Sequence, residues 1–212
     1  MVSMVPWAVG TAALLAGPIL AGVAERMIGS PLAGSWVRAA MVAAVSVVTA
    51  ASWVVGWVRF GTTPVLLAWC WACALGCSLV ITDVRCRRLP FPLVAAFAGG
   101  GMVALLAAAA VDGRWARFGF ACAAGVVVCA LAGLVQAATP DHTGGGDTAL
   151  YGAVALFVGW FGWEGLLRGL LWASGLTAVV ALVVAICSRR LDARFPAGPS
   201  LLAGALLSMV IA

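Results

Sequence analysis

Apolar runs of about twenty residues follow one another through almost the whole chain, separated only by short loops. A helix needs roughly 20 predominantly apolar residues to cross the hydrocarbon core of a bilayer, so this pattern fixes the solvent before it fixes the fold. The runs fall at about 5–24, 36–58, 63–82, 91–111, 118–138, 147–161, 166–187 and 200–212. They are continuously apolar, whereas a membrane barrel would alternate over about ten residues. The expected fold is therefore all-α: a polytopic transmembrane helical bundle of seven to eight membrane helices, forming one domain over 1–212. The last run is short for a full crossing, which predicts a helix that stops partway or thins the bilayer.

Charge scarcity supports the same solvent. Only 9% of the 212 residues are charged and 65% are hydrophobic, against about 25% charged in a soluble domain. No sizeable soluble domain can be built from what remains. The net charge is +5, and all twelve basic residues are arginines. Arginines in short loops set membrane orientation, so membrane lipid is the expected partner and nucleic acid is not. Taking the loops alternately, one side holds Arg26, Arg38, Arg85, Arg87, Arg88, Arg189, Arg190 and Arg194, and the other Arg59, Arg114, Arg117 and Arg168. The positive-inside rule makes the first side cytoplasmic and places the N-terminus outside. The first run has no basic n-region and is too long for a typical signal-peptide core, so it reads as a retained helix.

Of the seven cysteines, Cys70 and Cys73 have CxxC spacing. They lie inside an apolar run with no second pair and no neighbouring histidine, and a zinc site takes four ligands. Packing between helices is the expected role, with no metal, cofactor or disulfide.

The seven carboxylates are Glu25, Asp83, Asp112, Asp141, Asp147, Glu164 and Asp192. Glu25, Asp112 and Asp192 sit near arginines in loops, and Glu164 lies beside Trp160 and Trp163 in a short interfacial loop. Asp83 and Asp147 differ. Asp83 follows Leu79-Val80-Ile81-Thr82 at the end of the third run, and Asp147 opens the sixth after Gly144-Gly145-Gly146. Alternation of the runs puts both on one membrane face. Each alone has a structural explanation: Asp83 as the partner of Arg85 or Arg87, Asp147 as a helix N-cap. Together they fit peptide hydrolysis by two carboxylates, in which an ionised acid takes a proton from water and a protonated one donates to the substrate carbonyl. Two close carboxylates share one proton and titrate as a pair. The three glycines would let a substrate backbone approach.

At these residues the chain resembles the type IV prepilin leader peptidases, including the shorter relatives that process Flp-type pilins and archaeal preflagellins. The resemblance is carried by Asp83-Val84-Arg85-Cys86-Arg87-Arg88-Leu89-Pro90, by Gly144-Gly145-Gly146-Asp147 as a GxGD motif, and by Pro196-Ala197-Gly198-Pro199 before the last run. It covers about 66–212, and residues 1–60 carry no recognised motif. It implies a metal-free dyad of Asp83 and Asp147 at the cytoplasmic face of a bacterial inner membrane, cleaving a basic leader from a pilin-like precursor. Many members have Val-Lys-Leu after the second aspartate, where this chain has Thr148-Ala149-Leu150. The N-terminal CxxC domain of larger members, with its methyltransferase activity, has no counterpart, so methylation of the mature pilin is not expected. Two other readings compete. A proteolytically silent pilus or secretion assembly factor would explain the missing lysine. A proton-coupled transporter would use membrane acids as relays, but it calls for acids near the midplane.

Overall fold

The computed structural model describes residues 5–28, 34–87, 89–138, 144–188 and 196–211, without the side chains of 5–10 and 12–14. Arg88, Asp141, Asp192, Arg189, Arg190 and Arg194, all named from the sequence, lie outside the described residues. Among those described there are eight helices and no strand: α1 (Val5–Ile28), α2 (Ser35–Phe60), α3 (Val65–Cys86), α4 (Phe91–Asp112), α5 (Trp115–Ala138), α6 (Gly145–Gly159), α7 (Gly162–Ser188) and α8 (Gly198–Ile211). The all-α bundle matches the sequence expectation. Helices α2, α3, α4, α5 and α7 are long and apolar enough to cross a membrane, and the chain is a multi-pass membrane protein.

Local chemistry sets the helix ends. Pro90 precedes α4 and Pro92 lies in its first turn, where a missing N–H leaves no helical partner unserved. Gly113 closes α4 in the left-handed region at φ 68°, as a C-terminal glycine commonly does. The end of α3 is unusual. Arg87, at φ 50°, is the one non-glycine with positive φ among the described residues, and its N–H donates to the Asp83 carbonyl at 2.7 Å.

Helix α6 is the axis of the bundle. It packs against α4, α5, α7 and α8, and its residues from Gly152 to Gly159 are all buried. In lipid, burial of apolar surface gives helices little reason to associate, so close backbone approach must do so. The α5–α6 seam shows this. A Cβ on Gly152 would lie 3.0 Å from the Gly125 carbonyl oxygen, and one on Gly159 would lie 3.1 Å from Ala121 Cα. On the α4 side, Gly101 faces the edge of the Phe157 ring, which pairs with Phe97 at a centroid distance of 4.9 Å.

The structure places three acids in helices where the sequence suggested loops: Asp112 is the last residue of α4, Glu164 lies in the first turn of α7, and the third is Glu25. Glu25 belongs to α1 and forms an ion pair with Arg38 of α2, Nε to Oε1 at 2.8 Å. It is not a loop charge beside Arg26.

Candidate functional site

Asp83 occupies the last turn of α3 and is 4% exposed. The preceding Thr82 hydroxyl donates back to the carbonyls of Ser78 and Leu79 at 3.1 and 2.9 Å. That bond keeps Thr82 occupied within its own helix, and the Asp83 carboxylate takes its partner from α8. The Gly198 N–H donates to Asp83 Oδ2 at 2.8 Å. Gly198 is the first residue of α8, where helical N–H groups have no partner in the preceding turn and the helix dipole favours negative charge. A side chain would obstruct this contact, since a Cβ on Gly198 would sit 2.8 Å from the same oxygen.

Asp147 lies in the first turn of α6. Its sequence position allowed an N-cap role, but Gly144 is the N-cap, at φ −86° and ψ 145°. Asp147 is therefore the third helical residue. Its own N–H donates to the Gly144 carbonyl at 3.0 Å, and its carboxylate lies against Gly144, on the side where the acidic member of a capping box sits.

Helices α3 and α6 share no extended seam, because α4 and α8 each pack against both. The two aspartates approach only at the helix ends, where the charge of Asp83 acts on Asp147. No hydrogen bond joins the two side chains. Catalytic contacts often tighten only when substrate binds.

Leu89 joins the three sequence motifs. The turn at Arg87 and the extended Leu89-Pro90 segment bring the leucine back over the start of α6. A Cβ on Gly146 would meet both Leu89 Cβ and the Leu89 carbonyl oxygen at 2.7 Å. The Leu89 Cδ2 atom lies 3.5 Å from the Cβ position of Gly198. The segment after Asp83, the glycines before Asp147 and the Pro-Ala-Gly-Pro turn thus meet around one leucine side chain.

Two further residues border Asp147. The Thr148 hydroxyl donates to Gln136 Oε1 near the end of α5, at 2.6 Å. Gln136 is the only Asn or Gln in the 212-residue sequence, and that rarity is the signal by which the sequence marks it. Ala149 lines an apolar groove of about 380 Å³ over α6, with Phe91, Met102, Cys129 and Leu156 among the other lining residues. The side chain two positions beyond Asp147 therefore faces an apolar groove.

All seven cysteines are free thiols, Cys73 among them buried. Among the described residues no group of three or more His, Cys, Asp or Glu side chains is placed to hold a metal.

No family model matches the chain, no curated protein matches it, and no solved structure matches it.

Proposed function

We propose that the chain is a membrane-embedded aspartyl endopeptidase that removes the basic leader from a prepilin or pilin-like precursor at the cytoplasmic face of a bacterial inner membrane. The observation that carries this reading is that Leu89 lies against both Gly198, whose N–H holds Asp83, and Gly146, the residue before Asp147, at one end of the bundle. Three segments distant in sequence supply two acids, a backbone donor and, at Gly144 and Gly145, exposed glycines past which a peptide can run.

In this reaction one carboxylate is ionised and its partner holds the shared proton. The ionised acid takes a proton from water, the water oxygen bonds to the scissile carbonyl carbon, and the protonated acid donates to the carbonyl oxygen. The tetrahedral diol then collapses: the carbon–nitrogen bond breaks, the amine nitrogen takes a proton from the protonated aspartate, and one diol hydroxyl gives its proton to the ionised aspartate as it becomes the carbonyl of the new carboxyl group, so the leader leaves and the dyad again holds one shared proton. With Oδ2 of Asp83 held by Gly198, Oδ1 is the oxygen that serves water. The start of α8 thereby acts as a fixed backbone dipole at a site of changing charge. Burial against the bundle also favours sharing a proton over carrying two charges.

The test is cleavage of a pilin precursor by the purified chain in detergent, with Asp83→Asn and Asp147→Asn as controls. Loss of cleavage in both variants, by about 10²–10⁴-fold or more, with the helical fold retained, is the expected result. Cleavage that survives in either variant removes that residue from the dyad.

A further inference from the structure

Gln136 is the sole carboxamide side chain of this chain, and it sits on a helix that is otherwise apolar through its last three turns. Polar groups on membrane helices carry a desolvation penalty unless they are partnered, and they mark functional positions more often than surface polar residues do. The amide is fixed in orientation. Its oxygen accepts from the Thr148 hydroxyl at 2.6 Å, and Thr148 follows Asp147 directly. The same hydroxyl lies 3.5 Å from the Gly144 carbonyl, so the shorter contact to Gln136 is the favoured one. With the oxygen occupied, the NH₂ group, which has two donors, turns toward the start of α6. Its nitrogen lies 3.7 Å from the Cβ position of Gly145. Gly145 is exposed and Gln136 only partly buried, so the donors face the open rim beside Asp147.

A tie between α5 and α6 would not need a carboxamide. Those helices already associate through Gly125, Gly152 and Gly159 deeper in the bundle, and a hydroxyl could have bonded within its own helix, as Thr82 does. What the amide adds is a pair of oriented N–H donors next to a backbone without side chains. An extended peptide crossing Gly144 and Gly145 presents carbonyl oxygens at that position, and such oxygens need donors in a low-dielectric setting. We propose that Gln136 is a substrate-binding residue, oriented by Thr148, whose NH₂ group hydrogen-bonds a backbone carbonyl of the peptide beside the scissile bond. This assignment rests on the endopeptidase reading of Asp83 and Asp147.

The experiment compares wild type, Gln136→Glu, Gln136→Leu, Thr148→Val and Asp147→Asn, measuring KM and kcat on one pilin precursor and the melting temperature in detergent. Gln136→Glu keeps an oxygen for Thr148 and loses both donors. It is expected to melt as the wild type does and to raise KM by roughly tenfold, any change in kcat from the added carboxylate beside Asp147 being separated by the uncharged Gln136→Leu. Gln136→Leu is expected to raise KM similarly, and Thr148→Val to raise it less, since the amide then keeps its donors but loses its orientation. If Gln136→Glu cleaves with wild-type KM while Asp147→Asn is inactive, this assignment fails and the endopeptidase reading stands. Activity lost only in proportion to melting temperature across the series also overturns it, leaving a helix tie. A wild-type chain that leaves the precursor intact removes the endopeptidase reading and this assignment with it.

Discussion

The N–H of Gly198 and Oδ2 of Asp83 are 2.8 Å apart, although 115 positions separate them in sequence. Eight of the 14 residues of α8 are buried in the bundle, and its first N–H in addition fixes one oxygen of a buried acid. Gly198→Ala places a methyl carbon against that oxygen and pushes helix and carboxylate apart. A hydrogen bond to a charged group contributes about 1.5–3 kcal/mol, so cleavage should fall by roughly 10- to 100-fold. The measurement is kcat/KM on a pilin precursor, read beside the melting temperature. Wild-type cleavage by Gly198→Ala would show that Asp83 works without this contact.

Gly146 gives a prediction with an internal control. A methyl group there meets two parts of Leu89, the side chain and the carbonyl oxygen, both at 2.7 Å. Gly146→Ala should therefore lower cleavage by about tenfold or more through displacement of Asp147. Adding Leu89→Gly removes the crowded Cβ and leaves the carbonyl in place, so the double variant should not recover. Full recovery would mean that side-chain crowding alone was responsible.

The contact between Gly101 and Phe157 lies in the core, away from the acids. Gly101→Ala forces the Phe157 ring aside and disturbs its pairing with Phe97. Overpacking of this kind typically destabilises by about 1–3 kcal/mol. Phe157→Leu in the same chain should restore part of the loss, with a coupling of about 0.5–3 kcal/mol. Thermal unfolding of the four members of the cycle in one detergent measures it. Strict additivity would show that the two residues do not crowd each other.

Arg59 tests how α8 is held at its other end. Its Nε donates to the Val210 carbonyl at 3.1 Å, a cation on the last turn of a helix, where the dipole favours it. The site is exposed, so Arg59→Gln should lower stability by about 0.5–1 kcal/mol and leave kcat within roughly twofold. A drop in melting temperature as large as that of Gly101→Ala would contradict this.

The eight helices were legible because lipid demands long apolar runs, and each run maps to a helix with ends shifted by a few residues. The sixth differed most in meaning. Asp147 reads as the opening residue of its run, yet the helix begins two residues earlier because glycine, without a side chain, serves as the cap. Glu25 reads as a loop acid beside Arg26, and the structure continues α1 past it to Ile28 and pairs it with Arg38 on the next helix. The two aspartates stood out through scarcity of charge. The bond from Gly198 and the packing of Leu89 did not, since both depend on how distant segments meet and leave no periodic trace. Gln136 had a trace of another kind: it is the sole residue of its chemical type, which no pattern of spacing would reveal.

The lengths of α6 and α8 have a consequence for any peptide that reaches the acids. At 15 and 14 residues they rise about 22 and 21 Å, against a hydrocarbon thickness of about 30 Å. Their far ends lie among groups that favour the lipid–water boundary, with Arg59 on Val210 and Phe60 beside Phe161. On the endopeptidase reading, the shortfall of roughly 8 Å would fall at the end that holds Asp83 and Asp147. The floor between the carboxylates would then be a recess below the headgroups, open to water from above. A helical precursor keeps its amides tied up within itself, so it must unwind two or three residues at about 3.3 Å each to lower a bond to that depth. The depth of the recess, more than the sequence lowered into it, would then select which chains are cut.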